Sequence, residues 1–395
     1  MAETALSVPM FRRYYAGAVS GVNGMWIFRV LLSWLAWDMT GAASFVGLVA
    51  AASLLPVAVA GPIMGAVTDR SDIKRAFRWV SVGLLVCPVL MLGAMAAGVL
   101  TPPVLLAVAL SFGVVLALYH PVRQSIGPRL VDKRLIGSVV ALSALNFNLG
   151  RTIAPALGGV LIARIGAEVT VLVVIALFVP NLLLQGGLQP RQVRAGGGTA
   201  LWADFRAGLR HALGPGPIRA VLILSVAGLG PVRAVMELLA LIADGQFQRG
   251  AEGLGLLTSA IGAGALVAAL VQVGAGARLL AQGRGRWAAL ALGFTGAIAL
   301  VWAPVFPAAL AAAVVTGFCG TYVAVGLQIG LQSGLEDHLR GRIMSLWMVA
   351  VTASTSVMAL GLSLAADRWG LGGSVVFLLV VCAGIAGLWG RAARV

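Results

Sequence analysis

The sequence predicts an all-α membrane protein with twelve transmembrane helices in two pseudo-symmetric six-helix bundles. Three observations carry this. Of 395 residues, 60% are hydrophobic and only 10% charged, with a mean hydropathy of +1.00; a soluble domain of this size has no means of covering that much apolar surface. Apolar windows of about 20 residues, the length that lets a helix cross a bilayer, recur twelve times. The basic residues fall on alternate connections between them.

The N-terminus is a short polar lead followed by Phe11-Arg12-Arg13 and a full-length span. A cleavable signal would have a shorter apolar core and a small-residue cleavage site, so none is expected. Windows in the first half run near 15–38, 44–66, 77–99, 103–121, 137–163 and 167–188. Those in the second half run near 218–243, 252–275, 287–305, 307–331, 342–366 and 371–390. The expected organisation is an N-terminal bundle (1–188), a cytoplasmic linker (189–217) and a C-terminal bundle (218–395). In the linker, Leu201, Trp202, Phe205, Leu209 and Leu213 share one helical face, with Arg206, Arg210 and His211 off it. This reads as an amphipathic helix on the membrane surface, either a passive tether or a partner-binding element.

With the N-terminus in the cytoplasm, 22 of the 28 basic residues fall in cytoplasmic segments. Arg164, Arg249 and Arg368 fall outside, and Arg29, Arg151 and Arg233 lie within spans. This is the positive-inside pattern, and it places both termini in the cytoplasm. The net charge of +15 therefore records topology beside an anionic leaflet; the lipid bilayer is the expected partner and nucleic acid is not. Cys87, Cys319 and Cys382 lie far apart in apolar segments without C-x-x-C spacing, which reads as three buried thiols.

The halves carry traces of a repeat. A shift of 204 residues lays Asp132 on Glu336, Gly137 on Gly341, Arg164 on Arg368 and Gly166 on Gly370. A shift of 208 lays 46–51 near 254–259 and makes Arg29 the counterpart of Glu237. Parallel repeats of this kind place a substrate site between the halves, near the midplane.

The connection "GAVTDRSDIKR", 65–75, resembles the loop signature G-x-x-x-D-R-x-G-R-R of the major facilitator superfamily. Gly65, Asp69, Arg70, Lys74 and Arg75 match, with a one-residue offset at the end, and Asp72 stands where the second glycine would be. Gly65 permits close helix approach, and Asp69 can accept charge-assisted bonds from an arginine or a helix N-terminus. The cluster reads as a latch between the halves on the cytoplasmic side, or else as a solvated loop that sets topology. The stretch "GRTIAPALGG", 150–159, is similar to the fifth-helix motif of the superfamily's exporters. Gly150, Pro155, Gly158 and Gly159 match, and Ala154 replaces a glycine. Small residues so spaced permit tight helix contact and the proline bends the helix; generic packing is the alternative. The opening "FRRYYAGAVSGVNGMW" and the stretches "SWLAWDMTGAASFVGLVAA" and "EDHLRGRIMSLWMVA" resemble the branch that includes the bacterial enterobactin exporter. The resemblance implies a multi-pass, monomeric secondary transporter of the bacterial inner (cytoplasmic) membrane that exports small molecules.

The intramembrane charges locate the site. A charge near a bilayer centre costs about 2.5–3.5 kcal/mol. Arg233 and Glu237 stand i, i+4 on one helical face, a pair worth only about 0.2–0.5 kcal/mol on a solvated helix. Their face therefore lines a protein interior or a wet cavity, beside a helix loosened by Gly228, Gly230 and Pro231. The expected cross-cavity set is Arg29, Arg233, Glu237 and Asn23, with Arg151 joining it or pairing elsewhere. Glu237 is the one carboxylate well inside any span, hence the candidate proton carrier; a static packing ion pair is the open alternative. Asp38 and Asp244 read as interfacial, His120 likewise. Asn146, Asn148, Asn181 and Gln328 read as helix-to-helix hydrogen-bonding groups. Trp26, Trp34, Trp37 and Trp347 serve packing or offer aromatic surface to an amphipathic substrate.

Enzymatic chemistry has no foothold. The only lysines, Lys74 and Lys133, are not preceded by glycine, so no Walker A motif exists. Three scattered histidines make no metal cluster, and neither H-E-x-x-H nor G-x-S-x-G occurs; no cofactor or metal is expected. The expected function is proton-coupled export of a small amphipathic molecule by alternating access. The alternatives are an uptake permease or lipid flippase on the same fold, or a membrane interaction module of a larger assembly.

Overall fold

The computed structural model describes residues 4–70, 72–191, 210, 214, 216–275, 283–333 and 337–390. Among them there are twelve long helices and no strand. In the first half they are α1 (Pro9–Thr40), α2 (Ala43–Arg70), α3 (Ile73–Ala96), α4 (Pro102–Ile126), and α5 and α6, the two arms of Ile136–Leu183 on either side of Gly166. The second half holds α7 (217–246), α8 (Gly250–Ala275), α9 (Gly283–Val301), α10 (Phe306–Ser333), α11 (Asp337–Trp369) and α12 (Leu371–Gly390). Ten helical stretches are long and apolar enough to cross a membrane. One of these, Lys133–Leu183, contains both α5 and α6, and α9 adds a shorter apolar run at Gly285–Val301. The surface helix expected around Leu201, Trp202, Phe205, Leu209 and Leu213 lies outside the described residues.

Five corners turn through glycine at positive φ: Gly41 (59°), Gly98 (68°), Gly166 (83°), Gly250 (57°) and Gly370 (77°). L-residues are strained in this region and glycine is not. All five lie at the end of the bundle opposite the N-terminus, hereafter the hairpin face. Gly166 and Gly370 are the pair aligned by the 204-residue shift, so the repeat is visible in backbone geometry.

Small residues set the packing. α1 lies against α5 through Gly150 and Gly158, which face Val22 and Ile27, and against α6 through Gly24, which faces Phe178. Between the halves, α2 runs along α11 and α5 along α8. Gly47 of α2 is covered by Ser363 and the Ala359 carbonyl of α11. Such close approach replaces a hydrophobic drive that lipid does not supply. Phe28 and Phe112, both fully buried, meet edge to face at 4.9 Å inside the first half. Buried polar groups are paired across helices: Asn181 Nδ2 donates to Ser81 Oγ (2.9 Å, α6 to α3), and Trp347 Nε1 donates to Ser225 Oγ (2.8 Å, α11 to α7). Cys87, Cys319 and Cys382 are free and buried.

α7 is irregular where the sequence says it should be. It alternates α-helical Pro217–Leu224, a π segment Ser225–Leu229, α-helical Gly230–Glu237, and a second π segment Leu241–Gln246. Pro231 lacks an N–H, and its ring crowds the carbonyl four residues back, at Ala227. Widening the preceding turn relieves that crowding, and the first π segment occupies that turn. Gly245, in the second π segment, admits the Trp37 indole of α1.

Candidate functional site: a charged cavity between the halves

A cavity of about 410 Å³ lies between the two halves. α1 contributes Trp26, Arg29, Val30 and Ser33, a stripe at i, i+3, i+4 and i+7. Phe147 and Arg151 come from α5, and Arg233, Met236, Glu237 and Leu239 from α7. α8 adds Leu254, Thr258, Ile261 and Ala265; α10 adds Gly317, Gly320 and Thr321; α11 adds Met348, Thr352 and Thr355. Leu54 of α2 completes the wall. The lining is mostly apolar and aromatic, with one cluster of charge.

That cluster joins the halves. Arg29 Nη2 donates to both carboxylate oxygens of Glu237, at 3.0 and 3.1 Å. The two side chains are 25% and 22% exposed, so cavity water reaches the pair and weakens it relative to a dry one. The Arg29 guanidinium also lies over the Trp26 ring, 5.2 Å from its centroid, a further contact that favours the cation. Phe147 meets Trp26 edge-on at 5.8 Å.

Two expectations need correction. Arg233 lines the same cavity as Glu237, but the carboxylate is taken by Arg29 from the opposite helix. Sharing a helical face did not decide the pairing; a donor facing Glu237 from α1 reaches both oxygens at once. Asn23 is not among the residues that line this cavity. Its Nδ2 donates to the Val19 carbonyl on its own helix at 2.8 Å, because six residues turn it about 120° away from Arg29. Arg151 does line the cavity. Its charge repels that of Arg233, and its Nε is buried without a hydrogen-bond partner among the described residues.

The fifth-helix motif adjoins the cavity and forms a seam. Gly150 and Gly158 face α1, and Ala154 is fully buried. Gly159 faces the Ala251 carbonyl and Gly255 of α8, and Gly255 in turn faces the Pro155 carbonyl. Two turns further along α8, Gly262 rests on Arg151 and Thr152. Glycines on both helices thus bring the two backbones together next to the charges. For the loop motif, the α2 backbone is helical to Arg70, and the surroundings of Gly65 and the side chains of Asp69 and Arg70 lie outside what the structure describes. Lys74 Nζ donates to the Gly186 carbonyl at 3.3 Å, a contact within the first half. Asp72, standing in the glycine's place, caps α3 by accepting from the Lys74 and Arg75 backbone N–H groups.

Two contacts between the halves went unforeseen. Asp367 near the end of α11 accepts the backbone N–H groups of Ala43 and Ser44 at 2.9 and 3.0 Å, capping α2 from the other half. Asp244 is also more than interfacial. Its Oδ2 accepts from Trp37 Nε1 of α1 at 2.9 Å, and its Oδ1 from the Gly250 N–H at 3.1 Å. Both contacts sit at the hairpin face. Among the described residues no group of three or more His, Cys, Asp or Glu could hold a metal.

A family model described as transmembrane secretion effector matches residues 2–388. The staphyloferrin A transporter of Staphylococcus aureus is 27% identical over 164 residues, which cover 41% of this chain and 41% of that protein. The nucleoside transporter NupG superposes with a TM-score of 0.73 at 12% identity, covering 97% of this chain and 99% of that one. A bacterial homologue of the human lysosomal transporter Spinster, described as inward-facing and unoccupied, gives a TM-score of 0.72 at 15% identity, covering 97% and 98%. At these identities the structural likeness speaks for the fold alone.

Proposed function

Since the chain belongs to the transmembrane secretion effector family of the major facilitator superfamily, and so is a multi-pass transporter rather than an enzyme, we propose that it exports a small amphipathic molecule in exchange for protons. The substrate is siderophore- or drug-like, and the route is alternating access in the bacterial inner membrane, with both termini cytoplasmic. The partial match to a siderophore transporter supports that substrate range.

The observation that carries this reading is the Arg29–Glu237 pair, which bridges the halves inside the shared cavity. Movement of one half against the other changes the distance between these two groups. Glu237 then meets Arg29 in one state and is parted from it in the other. Such a difference is what exchange against protons requires. The bundles 1–188 and 218–395 move as the two units, joined by 189–217, with Gly65, Asp69, Arg70, Lys74 and Arg75 as the cytoplasmic latch. Asp367 and Asp244 hold the opposite face closed.

The test is substrate efflux into inverted membrane vesicles under an imposed proton gradient. Wild-type vesicles accumulate substrate when their lumen is acid, and Glu237→Gln vesicles accumulate none while the protein still inserts and purifies as a folded species. Full proton-driven accumulation by Glu237→Gln removes Glu237 from the mechanism, and accumulation with the opposite gradient makes the protein an importer.

A further inference from the structure

The cavity holds three guanidinium groups, Arg29, Arg151 and Arg233, against one carboxylate, Glu237. Arg29 and Glu237 are spent on each other. Arg151 and Arg233 remain, close enough for their charges to repel, and neither has a hydrogen bond to a carboxylate among the described residues. Glu237 offsets part of the Arg233 charge, but three guanidiniums lining one cavity against a single carboxylate leave a net positive charge that is costly to keep inside a membrane. A third cation stands nearby: Arg123 of α4 lies over the ring of Phe147, 5.2 Å from its centroid, and Phe147 is a cavity wall residue. A guanidinium offers a rigid fork of donors matched to carboxylate and phosphate oxygens.

We infer that the cavity takes an anion, a small molecule whose carboxylate or phosphate group is clasped between Arg151 and Arg233. Its apolar portion lies against Trp26, Phe147 and Met236. The inference rests on the cavity being the transport site and narrows the substrate class from amphipathic to amphipathic and acidic. It also gives Arg151 and Arg233 a role separate from that of Arg29: they hold the cargo, while Arg29 answers to Glu237. Binding the anion relieves the repulsion between the two arginines, so the loaded cavity is electrically closer to balance than the empty one.

Reactivity of a single thiol at Thr258→Cys, a cavity position, tests this without knowledge of the cargo. The three native cysteines are buried, and protein lacking the introduced thiol sets the background. In detergent, the anionic sulfonatoethyl methanethiosulfonate should react faster than the cationic trimethylammonium reagent by about tenfold, after scaling by their rates on free cysteine. Arg151→Gln with Arg233→Gln should abolish that preference, and Arg151→Lys with Arg233→Lys should keep it. Citrate and glycerol 3-phosphate then compete as carboxylate and phosphate probes, with choline as the cationic one. Protection by either anion supports the inference and says which oxyanion is favoured. Preference for the cationic reagent, protection by choline, or protection by none of the three overturns it. No gradient is involved, so the outcome stands apart from direction and proton coupling: a proton-driven exporter of cations would satisfy the vesicle test and fail this one.

Discussion

Arg29 and Glu237, 208 residues apart in the chain, meet across the cavity with both carboxylate oxygens within 3.1 Å of one guanidinium nitrogen. Each is the other's approximate counterpart under the internal repeat, so the two halves present opposite charges from equivalent helices. Removing either partner leaves the other in the cavity without it. A double-mutant cycle with Arg29→Gln and Glu237→Gln should show coupling of about 1 kcal/mol or more in thermal or denaturant unfolding. Additive effects would mean that the pair does not hold the halves together. Asn23→Ala, one turn and a half away and bonded only to its own helix, should leave transport and unfolding unchanged.

The hairpin face should open when Asp367 is neutralised. Asp367→Asn weakens the charge-assisted bonds to Ala43 and Ser44, at a cost of about 1 kcal/mol to this closed arrangement. Spin labels at the exposed Thr101 and Gly373, one in each half, should report a larger population of long distances in the variant. An unchanged distance distribution would show that the cap does not restrain the halves.

Trp37→Phe deletes the donor to Asp244 and shortens the ring that reaches Gly245. The expected loss is about 1 kcal/mol, in the same direction on the same spin-label readout. Combining it with Asp367→Asn should add, because the two contacts share no partner.

The α5–α8 seam should be far less tolerant than other glycine positions. A side chain at Gly159 would meet the Ala251 carbonyl and the Gly255 backbone. Gly159→Val is expected to cost about 1–3 kcal/mol through overpacking and to reduce transport steeply, whereas Gly137→Ala, with open space around it, should be neutral in both assays. Equal tolerance at the two sites would refute the seam.

Much of this architecture was legible from apolar windows and charge placement, because bilayer thickness constrains helix length and leaflet charge constrains loop composition. The features that apolarity and charge leave unmarked are local. α9 was expected near 287–305 but ends at Val301, since Pro304 cannot continue a helix and apolarity alone does not mark the end. The 208-residue shift brought Arg29 towards Glu237 correctly. Periodicity within one helix suggested Arg233 as its partner, and there the geometry of a second helix decided otherwise. Asn23 was drawn in by proximity in sequence, although its angular position turns it away. Asp367 escaped notice because its partners are backbone groups 323 and 324 residues distant, and backbone donors leave no mark on residue type.

The two π segments in α7 carry a consequence of their own. A π turn closes its hydrogen bond one residue later than an α turn, so each is a place where chain length is absorbed without interrupting the rod. Ser225–Leu229 stands directly ahead of the segment that bears Arg233 and Glu237. Deleting one residue from the α-helical stretch between that turn and Glu237 would leave every charged group intact, yet rotate Glu237 by about 100° relative to the upstream helix, out of line with Arg29. The π turn absorbs that shift when the residue is lost within it. The meeting of those two side chains is thus encoded in the count of residues before it as firmly as in the residues themselves.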